Sequence, residues 1–171
     1  MPSVTASVAC AGLRPDAKAF GCGPGVRAYA VFGNGGELVR PHFLLERGTP
    51  LHPGKPLQTA VSRSTCSAMM PMLEAVVEEG TGKKAAVSGY RIGGKTGTAR
   101  KPPYKDRRYM SSFWGIAPSR DPRLVVGVVM DEPKGEYYGS LVAAPVFKTL
   151  TEYTLRKLGV VPERLPAGKG G

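Results

Sequence analysis

Lys95-Thr96-Gly97-Thr98 is the stretch whose residue types stand closest to chemistry. Within a few positions it gathers an ammonium, two hydroxyls that both donate and accept, and a glycine with no side chain. Tyr90-Arg91-Ile92-Gly93-Gly94 leads into it as a run that reads as a strand, and a basic loop and two more strand-like runs follow. Taken alone, such a motif is an ordinary polar edge strand. The other reactive residue types offer less. Cys10, Cys22 and Cys66 are odd in number and hold no Cys-x-x-Cys pair, which fits neither a disulfide framework nor a zinc site. Cys66 falls on an apolar helical face and is expected to be packed. His42 and His52 lack ligand-like spacing, so no metal and no cofactor is expected.

The chain has 171 residues, about one domain, and 42% of them are hydrophobic, which suits a folded protein with a real core. No apolar run approaches the ~20 residues that span a bilayer. Met1 to Ala11 lacks a basic start followed by a solid apolar block and so makes a poor signal peptide. A formal net charge of +11 raises nucleic acid or an anionic surface as partners. Arg100, Lys101, Lys105, Arg107 and Arg108 cluster just after the motif, but no helix-turn-helix, zinc finger or aromatic–basic strand pattern accompanies them. The expected state is a solvated loop, with no nucleic-acid partner.

Residues 1–25 show no sustained period and stay unassigned. Arg27 to Phe32 reads as the last turns of a helix, stopped by Gly33-Asn34-Gly35-Gly36. Glu37 to Leu44 reads as short extended structure near a sheet edge, because Pro41 cannot donate to a ladder. Cys66, Met69, Met70, Leu73, Val76 and Val77 recur at helical steps. Pro71 limits that helix, which is expected to start just before it and to be short. Gly80-Thr81-Gly82 then breaks it. Strands are expected over Tyr90–Ala99, Met110–Ala117 and Leu124–Met130, the last apolar at both parities and so covered on both faces. Their short connections favour antiparallel neighbours. A final helix is expected over Pro145–Leu158, with Val146, Phe147, Leu150, Tyr153 and Leu158 facing inward and Gly159 beyond its end. The tail after residue 160 is expected to fray.

Across residues 26–160 the chain resembles the C-terminal part of the transpeptidase domain of class B penicillin-binding proteins, above all the cell-division type. The resemblance is carried by Arg27-Ala28-Tyr29-Ala30-Val31-Phe32-Gly33-Asn34-Gly35-Gly36, by Met72 to Val77 leading into Gly80-Thr81-Gly82, and by Gly89 to Ala99 around the Lys-Thr-Gly-Thr motif. It continues through Phe113 to Pro118, Asp131-Glu132-Pro133, Tyr137-Tyr138-Gly139-Ser140 and Ala143 to Phe147, in the family's order. It implies an α+β, partial serine β-lactamase/transpeptidase-like fold, an antiparallel sheet with helices on both faces. It also implies roles. Lys95 places a cation beside the catalytic serines and attracts the substrate carboxylate. Thr96 and Thr98 offer hydroxyls to that carboxylate, from a peptidoglycan stem peptide or a β-lactam, and Gly97 lets the substrate backbone lie close. The backbone N–H near Thr98 supplies half of an oxyanion hole.

The family's nucleophile is the serine of Ser-x-x-Lys, and a second motif is Ser-x-Asn. No serine of this chain has lysine three residues on, and Asn34, the only asparagine, has no serine two before it. The chain is therefore expected to be a fragment, inactive alone, whose partner is the missing part of the transpeptidase domain. Residues 1–25 are expected to reflect a truncated or frame-shifted reading of a longer gene. The resemblance implies a protein anchored in the cytoplasmic membrane with its catalytic domain outside, and this chain is expected to carry no anchor of its own. Two alternatives stay open: a subunit of a split transpeptidase, and a basic non-enzymatic binding module.

Overall fold

The computed structural model describes residues 5–6, 23–38 and 58–163. The histidines, Cys10, Cys22 and the 39–44 part of the expected extended run lie outside them, as does most of the unassigned N-terminal segment and residues 164–171 of the tail. In chain order the elements are β1 (Thr5–Ala6), α1 (Gly23–Gly33), β2 (Glu37–Leu38), β3 (Gln58–Thr59) and α2 (Arg63–Glu78). Then come β4 (Gly93–Arg100), β5 (Tyr109–Ala117), β6 (Leu124–Asp131), α3 (Gly139–Val142) and α4 (Ala144–Lys157). Single 3-10 turns occupy Lys83–Ala85 and Tyr104–Asp106.

β4, β5 and β6 form an antiparallel meander, and β1 adds to β6 in parallel, giving the order β1-β6-β5-β4. The short loops between the three long strands leave antiparallel pairing as the only choice. β6 is apolar at both parities because both its faces are buried. On one face Val125 and Ile116 pack with Val26 and Ala30 of α1 and Leu73 of α2. On the other, Phe113, Leu124, Val126 and Val128 pack with Val77, Phe147 and Leu155. Helices thus cover both sides of the sheet, as expected.

α1 ends where the glycines begin. Asn34 N–H donates to Ala30 O and Gly36 N–H to Val31 O, with Gly35 and Gly36 at φ 73° and 104°. A side chain at Gly36 would lie 2.0 Å from Val61 O, so the turn into β2 needs glycine there.

Two expectations require correction. α2 does not start just before Pro71: it starts at Arg63, capped by Ser62, whose Oγ accepts the Thr65 N–H at 3.1 Å, and it runs 16 residues with Pro71 inside. Proline removes the bond to the Ser67 carbonyl, but both residues lie on the exposed side, where water satisfies that group. The apolar stripe of α2 is unaffected, with Cys66, Leu73 and Val77 buried. In α4 the inward residues are Ala144, Phe147, Thr151 and Leu155. Tyr153 and Leu158 point outward, 63% and 45% exposed. The helical period from Phe147 returns to the sheet at 151 and 155, and position 153 falls two-thirds of a turn away.

Candidate substrate-binding edge

β4 ends the described sheet, and its hydrogen-bond parity decides what its free side offers. Lys101 N–H donates to Arg108 O at 2.8 Å, one step beyond the Arg100–Tyr109 pair. Antiparallel ladders alternate between bonded and non-bonded pairs, so Lys95–Trp114 and Gly97–Ser112 are bonded pairs as well. The peptide groups of Gly94, Thr96, Thr98 and Arg100 therefore point away from β5. Among the described residues no strand pairs with them. The Thr96 carbonyl on this side accepts the Lys95 ammonium at 3.1 Å.

Side chains alternate in the same way. Lys95 and Gly97 share the α1/α2 face with Ser112 and Trp114, and Thr96 and Thr98 share the α4 face with Phe113 and Ser111. The sequence grouped Lys95, Thr96 and Thr98 as one set; the structure brings their backbones to one edge and sends their side chains to two faces. The Thr96 hydroxyl lies 2.9 Å from that of Thr81, and the Thr98 hydroxyl accepts the Gly139 N–H at 3.0 Å. Each threonine thus has its oxygen located, and Thr98 keeps its own O–H to donate.

Gly139 is needed for internal packing, and Gly97 lies against the Ser112 hydroxyl. A Cβ at Gly97 would stand 2.6 Å from Ser112 Oγ, and one at Gly139 would stand 2.5 Å from both Gly97 O and Ser112 O. α3 therefore presses directly on the Gly97–Ser112 pair. Trp114, opposite Lys95, lies in a slot: Cβ atoms at Gly127 and Gly25 would meet its ring at 2.1 and 2.4 Å, and Tyr29 stacks on it at 6.0 Å. Tyr109, which pairs with Arg100, stacks at 4.1 Å on Tyr137, and Tyr137 touches Tyr138. The hydrogen bond between the two phenols raises the Tyr137 pKa above its ordinary value, with help from their electrostatic coupling.

The basic loop after β4 carries internal ion pairs. The Lys101 ammonium bonds Asp131 at 2.6 Å and Glu132 at 2.9 Å, and Arg108 bonds Pro102 O at 2.7 Å and approaches Glu132 at 3.3 Å. These hydrogen bonds raise the Lys101 pKa. Cys66 is buried, as expected, and burial pushes its thiol up, away from thiolate chemistry. Among the described residues no group of acidic, cysteine or histidine side chains could hold a metal ion, and no helix is long and apolar enough to cross a membrane.

The sequence placed Thr81 in a helix break, and Thr81, Trp114 and Gly139 among the residues that carry the resemblance, but gave none of them, nor Ser112, a role in the site. Register brings Ser112 and Trp114 opposite the motif, and α3 brings Gly139; no local signal gives either. The Gly-Thr-Gly spacing at 80–82 was the available signal for Thr81.

The family model for the penicillin binding protein transpeptidase domain matches residues 25–152. Stage V sporulation protein D of Bacillus subtilis is 39% identical over 150 residues, which is 81% of this chain and 23% of that protein. Peptidoglycan D,D-transpeptidase FtsI of Escherichia coli is 36% identical over 148 residues, 83% of this chain and 24% of that protein. The apo transpeptidase domain of Burkholderia pseudomallei penicillin-binding protein 3 superimposes with a TM-score of 0.69 at 40% identity, covering 82% of this chain and 43% of that one. The chain thus spans about a quarter of the length of these two curated relatives.

Proposed function

Since the chain belongs to the penicillin-binding protein transpeptidase domain family, we propose that its β4 edge is the substrate-binding side of a peptidoglycan D,D-transpeptidase, residues 26–160 forming the C-terminal part of that domain. The observation that carries this reading is the outward direction of the Thr96 and Thr98 peptide groups beside the Lys95 ammonium. An extended peptide ending in a carboxylate adds to such an edge as a strand would, through main-chain bonds. Lys95 attracts the carboxylate, the Thr96 and Thr98 hydroxyls hydrogen-bond it, and the Thr98 N–H donates to the carbonyl that becomes an oxyanion. Stem peptides ending in D-alanine and β-lactams share that pairing of a carbonyl with a carboxylate.

Acyl transfer also needs a nucleophile, and no serine of these 171 residues has the lysine that activates it in the family. The acyl-enzyme therefore forms on a serine outside this sequence, and the chain contributes binding and charge stabilisation. Intact mass after incubation with excess benzylpenicillin is expected to show no stable adduct. Reversible binding of N-acetyl-D-alanyl-D-alanine at millimolar concentration is expected, and lost in Lys95→Ala. A stoichiometric adduct, or binding indifferent to Lys95→Ala, overturns the reading.

A further inference from the structure

We infer that Thr81 is a positioning residue for the carboxylate site, holding the Thr96 hydroxyl and adding a second hydroxyl to it; this rests on the function proposed above. Thr81 lies outside the Lys-Thr-Gly-Thr motif, in the turn after α2, and its Oγ1 stands 2.9 Å from Thr96 Oγ1. Between two hydroxyls at that distance one O–H is donated to the other oxygen, and the second O–H is left free. The donated bond polarises the pair, so the remaining O–H becomes a better donor to an anion.

The turn that presents Thr81 is fixed by backbone geometry. Glu79 and Gly80 N–H both donate to Ala75 O, and Gly82 N–H donates to Val76 O at 2.8 Å. Two of the last four carbonyls of α2, those of Ala75 and Val76, are thereby given donors within the turn. Side chains at Gly80 and Gly82 would stand 3.0 and 2.9 Å from Val76 O, so glycine on both sides lets the turn close and sets Thr81 over β4. Glu78 and Glu79 precede this turn and Lys83 and Lys84 follow it. On the far side of Thr96, the Lys95 ammonium holds the carbonyl. Thr96 is thus held at its hydroxyl by the turn after α2 and at its carbonyl by its neighbour Lys95 on the same strand, and an arriving carboxylate meets a hydroxyl already oriented.

The test compares affinities of the 171-residue chain for two probes by NMR titration, following the Thr96 and Thr98 amides. The probes are N-acetyl-D-alanyl-D-alanine and its C-terminal carboxamide. Thr81→Val keeps the shape of the side chain and removes the hydroxyl; Thr81→Ser keeps the hydroxyl. Loss of one hydrogen bond to a charged group predicts affinity for the acid about tenfold weaker in Thr81→Val. Thr81→Ser is expected to stay within about twofold of the unmodified chain, and the carboxamide to be insensitive to both changes. Equal affinity of Thr81→Val and the unmodified chain for the acid overturns the role of Thr81 and leaves the β4 edge standing. Weakening by Thr81→Val of acid and carboxamide alike also overturns it, since the effect is then on the fold and not on the anion. An unmodified chain that binds neither probe overturns the substrate-binding edge, and the role of Thr81 with it.

Discussion

Gly127→Ala should eject Trp114 from the sheet and disturb Lys95 beside it. The added Cβ would lie 2.1 Å from Cζ3 and 2.3 Å from Cε3 of the indole. The ring cannot retreat toward α1, because Gly25 already approaches so closely that a Cβ there would meet Cη2 at 2.4 Å. A rigid ring held from both sides must leave its slot. Overpacking of this kind costs about 1–3 kcal/mol, and breaking the Tyr29–Trp114 stack removes about 0.5–1.5 kcal/mol. A total of about 2–4 kcal/mol is large against the ~5–15 kcal/mol that separates folded from unfolded domains. With a urea slope of about 2 kcal/mol per molar, the middle of the usual range, the unfolding midpoint should fall by about 1–2 M. Trp114 is the only tryptophan, so its fluorescence reads both the displacement, as a red shift of the native emission, and the unfolding transition. Trp114→Leu should cost stability by itself, and in its background Gly127→Ala should cost much less, a non-additive cycle. Unchanged native emission with a midpoint within about 0.3 M of the parent would refute the slot.

Other outcomes follow from single contacts. Thr151 is fully buried and its Oγ1 has no partner, so Thr151→Val should be neutral or stabilise by up to about 1 kcal/mol in urea unfolding. Ser62→Ala removes the cap of α2 and should cost about 1 kcal/mol, whereas a helix starting near Pro71 would ignore it. Lys101 has its pKa raised above the ordinary 10.5 by Asp131 and Glu132. Its contribution is complete below that ordinary value and is lost as pH rises through the higher folded one. Chemical unfolding across the alkaline range should show a steeper loss of stability for the parent than for Lys101→Met; parallel profiles would contradict the pairing.

Much of the scaffold was legible because it is written locally. Parity along Leu124–Met130 gave a strand buried on both faces, short loops gave antiparallel order, and the glycines at 33–36 gave the end of α1. The start of α2 was not, because Pro71 reads as a boundary unless one knows that Ser67 and Pro71 face water. The inward stripe of α4 was misjudged at Tyr153 and Leu158 because apolar identity was weighed above angular position. At the site, the motif was legible as a set of residue types. Its division between two faces, and the neighbours Thr81, Ser112, Trp114 and Gly139, depend on register and on turns that meet the strand from elsewhere in the chain.

The most direct measurement is amide hydrogen exchange resolved by residue along β4, with and without N-acetyl-D-alanyl-D-alanine. The substrate-binding edge predicts alternation: slow exchange at Lys95, Gly97 and Ala99, whose N–H groups bond β5, and fast exchange at Thr96 and Thr98, slowed when the peptide is added. Uniform protection along the strand, or a peptide that leaves Thr96 and Thr98 as fast as before, would contradict it.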